Sequence, residues 1–88
     1  MRLSPKFSPK LRRTLLKPST GVVRSLVELS PSANEEQFRS QMEPLGAEVR
    51  SWSQQGRVAT VDIPGEHLSE LGDLDEVVYV EAGETYRP

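Results

Sequence analysis

Apolar residues come in short bursts whose spacing changes along the chain. Val22-Val23-Arg24-Ser25-Leu26-Val27-Glu28-Leu29 is β-branched and apolar over a strand's length. Ser30-Pro31-Ser32 breaks it, and Ser32 with Glu35 forms an S-x-x-E capping box that predicts a helix start. Glu35 and Glu36 then lie in the first turn, where the helix dipole favours negative charge. Phe38, Met42 and Leu45 recur at i, i+4 and i+7 as a core stripe. Pro44 weakens the last turn, and Gly46 suits the C′ position, where φ is positive. A second strand is predicted over 47–53 and a third over 57–63, joined by a Gln54-Gln55-Gly56 turn with glycine at the strained position. The third alternates Ala59, Val61 and Ile63 against Val58, Thr60 and Asp62. Pro64-Gly65 ends it. A short second helix follows, with Leu68 and Leu71 three apart and Leu74 just beyond, until Gly72-Asp73 breaks it. Val77-Val78-Tyr79-Val80-Glu81 reads as the last strand.

The order β-α-β-β-α-β predicts an α+β, ferredoxin-like fold: a four-stranded antiparallel sheet with two helices on one face and the other face open. Parity along the strands sends Ala59, Val61, Ile63, Val78 and Val80 toward Phe38, Met42, Leu45, Leu68 and Leu71. It sends Glu48, Arg50, Trp52, Val58, Thr60, Asp62, Tyr79 and Glu81 to the open face. Trp52, Val58 and Tyr79 there are more apolar surface than a solvated face requires, which suggests a partner. The plainer alternative is that Trp52 lies flat over its sheet neighbours.

Composition narrows the picture. The 88 residues allow one domain, and an apolar fraction of 35% supports one small core rather than a large buried active-site cavity. With no cysteine, disulfide frameworks and cysteine zinc sites are excluded, and a single histidine argues against His-based metal sites. A net charge of −2 hides an asymmetry: residues 1–20 carry six cations and no acid, whereas residues 21–88 carry five arginines against thirteen acids. The chain therefore divides into a basic, flexible N-terminal arm over 1–20, a domain over 21–83 and an extended tail over 84–88. In the arm, Pro5, Pro9 and Pro18 interrupt any long helix, and Leu11, Leu15 and Leu16 fit one amphipathic turn with Arg12 and Arg13 opposite. Three readings of the arm stand: a solvated tail, a docking arm for an acidic partner or anionic lipid, and an organellar targeting segment. The candidate docking residues are Arg2, Lys6, Lys10, Arg12, Arg13 and Lys17. No apolar h-region follows the charges, and no run approaches the ~18 apolar residues of a membrane span. The expectation is a cytoplasmic chain, with organellar targeting as the alternative.

Catalytic and cofactor signatures are missing. The sequence holds no G-x-x-x-x-G-K-[ST], G-x-G-x-x-G or G-x-S-x-G. His67, beside Glu66 and Glu70, reads as a solvated helix histidine. Glu35-Glu36 and Asp75-Glu76 are adjacent pairs that do not face each other on a helix. The expectation is a non-catalytic chain with no cofactor. RNA-recognition domains share this strand order but set face aromatics in a basic surround, whereas Glu48, Asp62 and Glu81 make this face acidic, so nucleic acid is not the expected partner.

Leu71-Gly72-Asp73-Leu74-Asp75-Glu76-Val77-Val78-Tyr79-Val80-Glu81 resembles the segment that closes subtilisin propeptides and the related inhibitor I9 proteins, L-x-x-(L/D)-P-x-V-x-Y-V-E. The opening strand VVRSLVEL, Gly46-Ala47-Glu48-Val49 and Ala59-Thr60-Val61 sit where that family has similar residues, so the resemblance spans about 21–88. It implies a domain that inhibits a subtilisin-like serine protease, assists its folding, or both. In that family the open sheet face packs on two protease helices, carboxylates near the end of the last strand cap those helices, and the tail lies in the substrate cleft. Trp52, Val58, Thr60, Tyr79 and Glu81 would then meet the protease, with the tail Glu84, Thr85, Tyr86, Arg87 and Pro88. Glu81 matches the first capping acid; at the second capping position stands Gly83, with Glu84 one residue out of phase. By the same likeness the tail ends one residue short of the family's usual cleavage point, with Pro88 second from it and Tyr86 fourth. The chain starts at Met1 and no protease domain follows, so the expectation is a stand-alone inhibitor or separately made propeptide. The alternative is a structural or assembly subunit that docks by the same face and the basic arm.

Overall fold

The computed structural model describes residues 6–15 and 21–83. The chain forms α1 (Pro9–Leu15), β1 (Val22–Leu29), α2 (Glu35–Met42), β2 (Glu48–Ser53), β3 (Val58–Pro64) and β4 (Val77–Ala82). A short 3-10 turn, Glu43–Leu45, follows α2, and a longer 3-10 helix, Gly65–Asp73, links β3 to β4. The sheet order is β2-β3-β1-β4, antiparallel throughout, so each helical crossover skips one strand. This is the α+β, ferredoxin-like arrangement expected from the element order.

Local chemistry explains each element, and in three places it differs from the expectation. The cap of α2 is Asn34, not Ser32: Asn34 Oδ1 accepts from the Gln37 N–H at 2.9 Å, while the Ser32 hydroxyl pairs with that of Ser30 at 3.2 Å. Arg39 bonds back to Glu35 at 2.9 Å one turn away, and Phe38 and Met42 enter the core. Gly46 ends the following 3-10 turn at φ 69°, as a C-cap glycine should. In the β2–β3 turn the positive φ belongs to Arg57, at 55°, and not to Gly56. Gly56 instead donates its N–H to the Ser53 hydroxyl at 3.0 Å. The second helix is a 3-10 helix. At three residues per turn, Leu68, Leu71 and Leu74 fall in one line, and the first two are fully buried.

The core is the face of the sheet turned to the helices: Val27, Leu29, Ala59, Val61, Ile63, Val77 and Val80 against Phe38, Met42, Leu68 and Leu71. Two strand bulges set it. Between β2 and β3, Val49 faces Val61 and Ser51 faces Thr60, so Arg50 is an extra residue. Between β1 and β4, Glu28 faces Tyr79 and Leu29 faces Val77, so Val78 is extra. The second bulge corrects the predicted core, because Val77 is buried and Val78 is 50% exposed.

Within the arm expected to be flexible over 1–20, the described residues 6–15 are packed against the sheet edge. Phe7 makes a parallel bridge to Val80 on the free edge of β4. The Val80 N–H donates to Lys6 O at 2.7 Å, and the Ser8 N–H donates to Val80 O at 2.9 Å. Ser8 Oγ then accepts from the Leu11 N–H at 3.4 Å, with Pro9 at the first position of α1. Phe7 is 1% exposed and Leu11 2%, so both belong to the core. Burial of this kind is worth about 1.5–3 kcal/mol per side chain. Lys10, Arg12 and Arg13 stay exposed. Arg2 and Lys17 lie outside the described residues.

Ser25 is a polar residue in the middle of this core, fully buried on β1 between Val61 and Ala82, with no hydrogen-bond partner for its hydroxyl. A buried unpaired hydroxyl costs about 1–3 kcal/mol. Ser25→Ala is expected to stabilise the domain by about 1 kcal/mol, which for this size raises the thermal midpoint by about 4–8 °C. Calorimetry checks this.

Candidate binding face

The strand register lays the open face out as three cross-strand rows. Ser53, Val58, Glu28 and Tyr79 form one row, and Ser51, Thr60, Leu26 and Glu81 the next. Glu48, Asp62 and Arg24 form the third, and Gly83 closes it by donating its N–H to Arg24 O at 2.8 Å. Val58, Thr60, Tyr79 and Glu81 therefore meet on one surface, as the alternation predicts. Leu26 sits at its centre and had no place in the expected site. The signal for it was β1's own alternation, which puts Leu26 in phase with Arg24 and Glu28. Val22 adds an exposed apolar side chain at one end of β1.

Trp52 is not on this face. The extra residue at Arg50 reverses the parity of β2 beyond it, so Trp52 faces Ala59 on the helix side. Its ring lies 5.6 Å from that of Phe38 at 46°, and its Nε1–H donates to Gln54 Oε1 at 3.0 Å. It closes the end of the core instead of offering an aromatic to a partner. The tail residues Glu84, Thr85, Tyr86, Arg87 and Pro88 lie outside the described residues.

Charge divides the face. At one end Arg24 holds Asp62 in a two-pronged bond, Nε to Oδ1 at 2.8 Å and Nη2 to Oδ2 at 3.0 Å. Arg50 adds contacts to Asp62 at 3.7 Å and to Glu48 at 3.3 Å. The Arg24 hydrogen bond lowers the pKa of Asp62 below the usual carboxylate range, against a smaller opposing effect of burial. At the other end Glu28 and Glu81 are exposed, and neither has an ion-pair partner among the described residues.

Gly83 has a steric reason. A Cβ there would stand 2.5 Å from Arg24 Cγ and 3.0 Å from Arg24 O. The position two residues beyond Glu81 is filled by the Arg24 side chain that Asp62 holds, so an acid there would have to displace Arg24.

His67 is on the 3-10 helix, away from the sheet's open side, with Nδ1 2.6 Å from Glu70 Oε2; that hydrogen bond raises its pKa above the ordinary histidine value. Among the described residues no group of three or more His, Asp or Glu side chains is placed to hold a metal ion, and no helix is long and apolar enough to cross a membrane. A shallow open depression lies at the start of α2, lined by Asn34, Glu35, Arg39 and Gln54. No protein-family model matches the chain, and no curated protein matches it.

Two predictions follow from the charged row. A carboxylate with a depressed folded pKa contributes stability above its unfolded value, about 3.9, and loses it as pH falls through the folded value. The stability gap between wild type and Arg24→Met, read by urea titration, is therefore expected at neutral pH and should close where Asp62 is protonated in both. Gly83→Glu is expected to destabilise by about 1–3 kcal/mol, because Arg24 must shift to admit the side chain. The same titration checks it.

Proposed function

We propose that this chain is a non-catalytic protein-binding domain that inhibits a subtilisin-like serine protease, assists its folding, or both, through the open sheet face and the C-terminal tail. The observation that carries the reading is Glu81. The last strand that resembles the propeptide segment sets this carboxylate, with no ion-pair partner among the described residues, beside Leu26 on a sheet face that no other described element covers. A helix N-terminus offers unpaired N–H groups and about half a positive charge, so a carboxylate placed there gains about 0.3–1 kcal/mol. Leu26, Val58 and Tyr79 supply the apolar contact around it. A tail that adopts an extended form in a protease cleft would pair with a cleft strand, alternate side chains entering pockets.

A second reading is favoured by Gly83. With Arg24 in the place of a second acid, the face suits capping of one helix rather than two, and a non-protease partner in a larger assembly would use the same residues.

One assay separates them. The full chain is expected to inhibit a subtilisin-like protease, and Glu81→Ala and Tyr79→Ala are each expected to raise the inhibition constant by about tenfold or more, a change of about 1.4 kcal/mol. Lack of inhibition by the folded chain, with capture of a non-protease complex that the same two substitutions abolish, would favour the assembly reading.

A further inference from the structure

The outer edge of β4 carries a second binding arrangement, distinct from the open face. Its occupant is the chain's own segment 6–11. Main-chain pairing there is a single bridge at Val80, whereas β1 and β3 share seven register pairs. The rest of the hold is side-chain and charge. Phe7 and Leu11 fill two buried sites, and the Lys6 ammonium donates to Leu74 O at 3.0 Å. Ser4-Pro5-Lys6-Phe7 repeats in the sequence as Ser8-Pro9-Lys10-Leu11, and the apolar fourth residue of each copy is a buried one.

The segment and the stretch it packs against are opposite in charge. Segment 6–15 carries Lys6, Lys10, Arg12 and Arg13 and no acid. The stretch it packs against, the 3-10 helix and the turn into β4, carries Glu66, Glu70, Asp73, Asp75 and Glu76 and no lysine or arginine. An edge strand with one short basic segment laid along it has the form of strand addition by a peptide, in which backbone bonds give the register and pockets for spaced side chains give selectivity.

We propose that the β4 edge is an exchangeable peptide site, occupied in the free chain by residues 6–11 and taken over by a basic extended segment of a partner protein. The partner segment has the chemistry of the resident one: lysine, then an aromatic residue, then Ser-Pro, with a leucine four residues after the aromatic. The site does not depend on which protein the open face meets.

Two measurements on the full chain test it. In hydrogen exchange, the amides of Ser8 and Val80 and those of α1 are expected to open before the β1–β3 core. They should open faster at about 1 M salt, where charges are screened beyond ~3 Å, than at low salt. In binding, a fluorescent peptide of residues 6–15 is expected to bind the full-length Phe7→Ser/Leu11→Ser variant at least about tenfold more tightly than wild type. That binding should weaken with salt, and it should vanish when the peptide's phenylalanine is replaced by serine. Failure of the peptide to bind a variant that keeps its circular dichroism overturns the proposal. If the variant does not fold, exchange in the wild type decides, and opening of 6–15 only together with the β1–β3 core overturns it. Mixed dimers of isotopically light and heavy wild-type chains would assign the site to a second copy and overturn the partner proposal.

Discussion

A sheet covered on one side obliges every strand to send its apolar side chains the same way, and strict alternation would break that rule in two of these four strands. β1 and β3 alternate throughout. β2 must turn both Val49 and Trp52 toward the core, where they are half-buried, and β4 must bury both Val77 and Val80; each pair is three residues apart, an odd spacing that a regular strand puts on opposite faces. One extra residue in each strand, Arg50 and Val78, repairs the phase. The makeup of both faces follows. Trp52 turns inward to Phe38, the open face keeps Tyr79 as its aromatic residue, and the two inserted residues appear at the surface.

The strongly periodic parts of the chain were readable from sequence. Ala59, Val61 and Ile63 against Val58, Thr60 and Asp62, Phe38 with Met42, and Gly46 at a helix end all lie where pattern places them. So do Val58, Thr60, Tyr79 and Glu81 on the face. The bulges were not readable, because Arg50 and Val78 are ordinary strand residues and the extra count exists only relative to the partner strand. β1 hides its faces for another reason: Ser25 is in the core and Leu26 outside it, which inverts the hydropathy of that pair. The caps of α2 competed, since Ser32 and Asn34 both suit the position and geometry decided between them. In the basic segment, Phe7 and Leu11 are isolated apolar residues among cations, and composition alone reads such a stretch as solvated. Their spacing of four, with Pro9 able to start a helix between them, was the available signal.

Both sheet edges are protected, by different means. β2 carries a bulge and the polar residues Glu48, Arg50, Ser51 and Ser53, all of which discourage pairing with another strand. β4 has no such devices on its backbone edge. Its protection is residues 6–8, which satisfy both main-chain groups of Val80. β4 thus serves three neighbours at once. Val77 and Val80 enter the core, Tyr79 and Glu81 face outward, and the backbone edge holds the N-terminal segment. Anything that loosens that segment acts on the strand that carries Glu81.

The charge asymmetry of the sequence is spread unevenly over the fold. The basic segment 6–15 packs against the acidic 3-10 helix and β4, and Arg24 and Arg50 pair with Asp62 and Glu48 at one end of the open face. Glu28 and Glu81 at the other end lack such partners among the described residues. They flank Leu26 and Tyr79, so among the described residues apolar surface on the sheet borders carboxylates without ion-pair partners. A surface that joins apolar area to uncompensated carboxylates selects for a partner with electropositive groups over an apolar base, because desolvating those carboxylates without such groups would cost more than the apolar contact returns. Helix N-termini satisfy that demand without a full charge to desolvate on the partner's side. Under the proposed reading, that is the physical reason a helical surface would suit this face better than a lysine-rich loop.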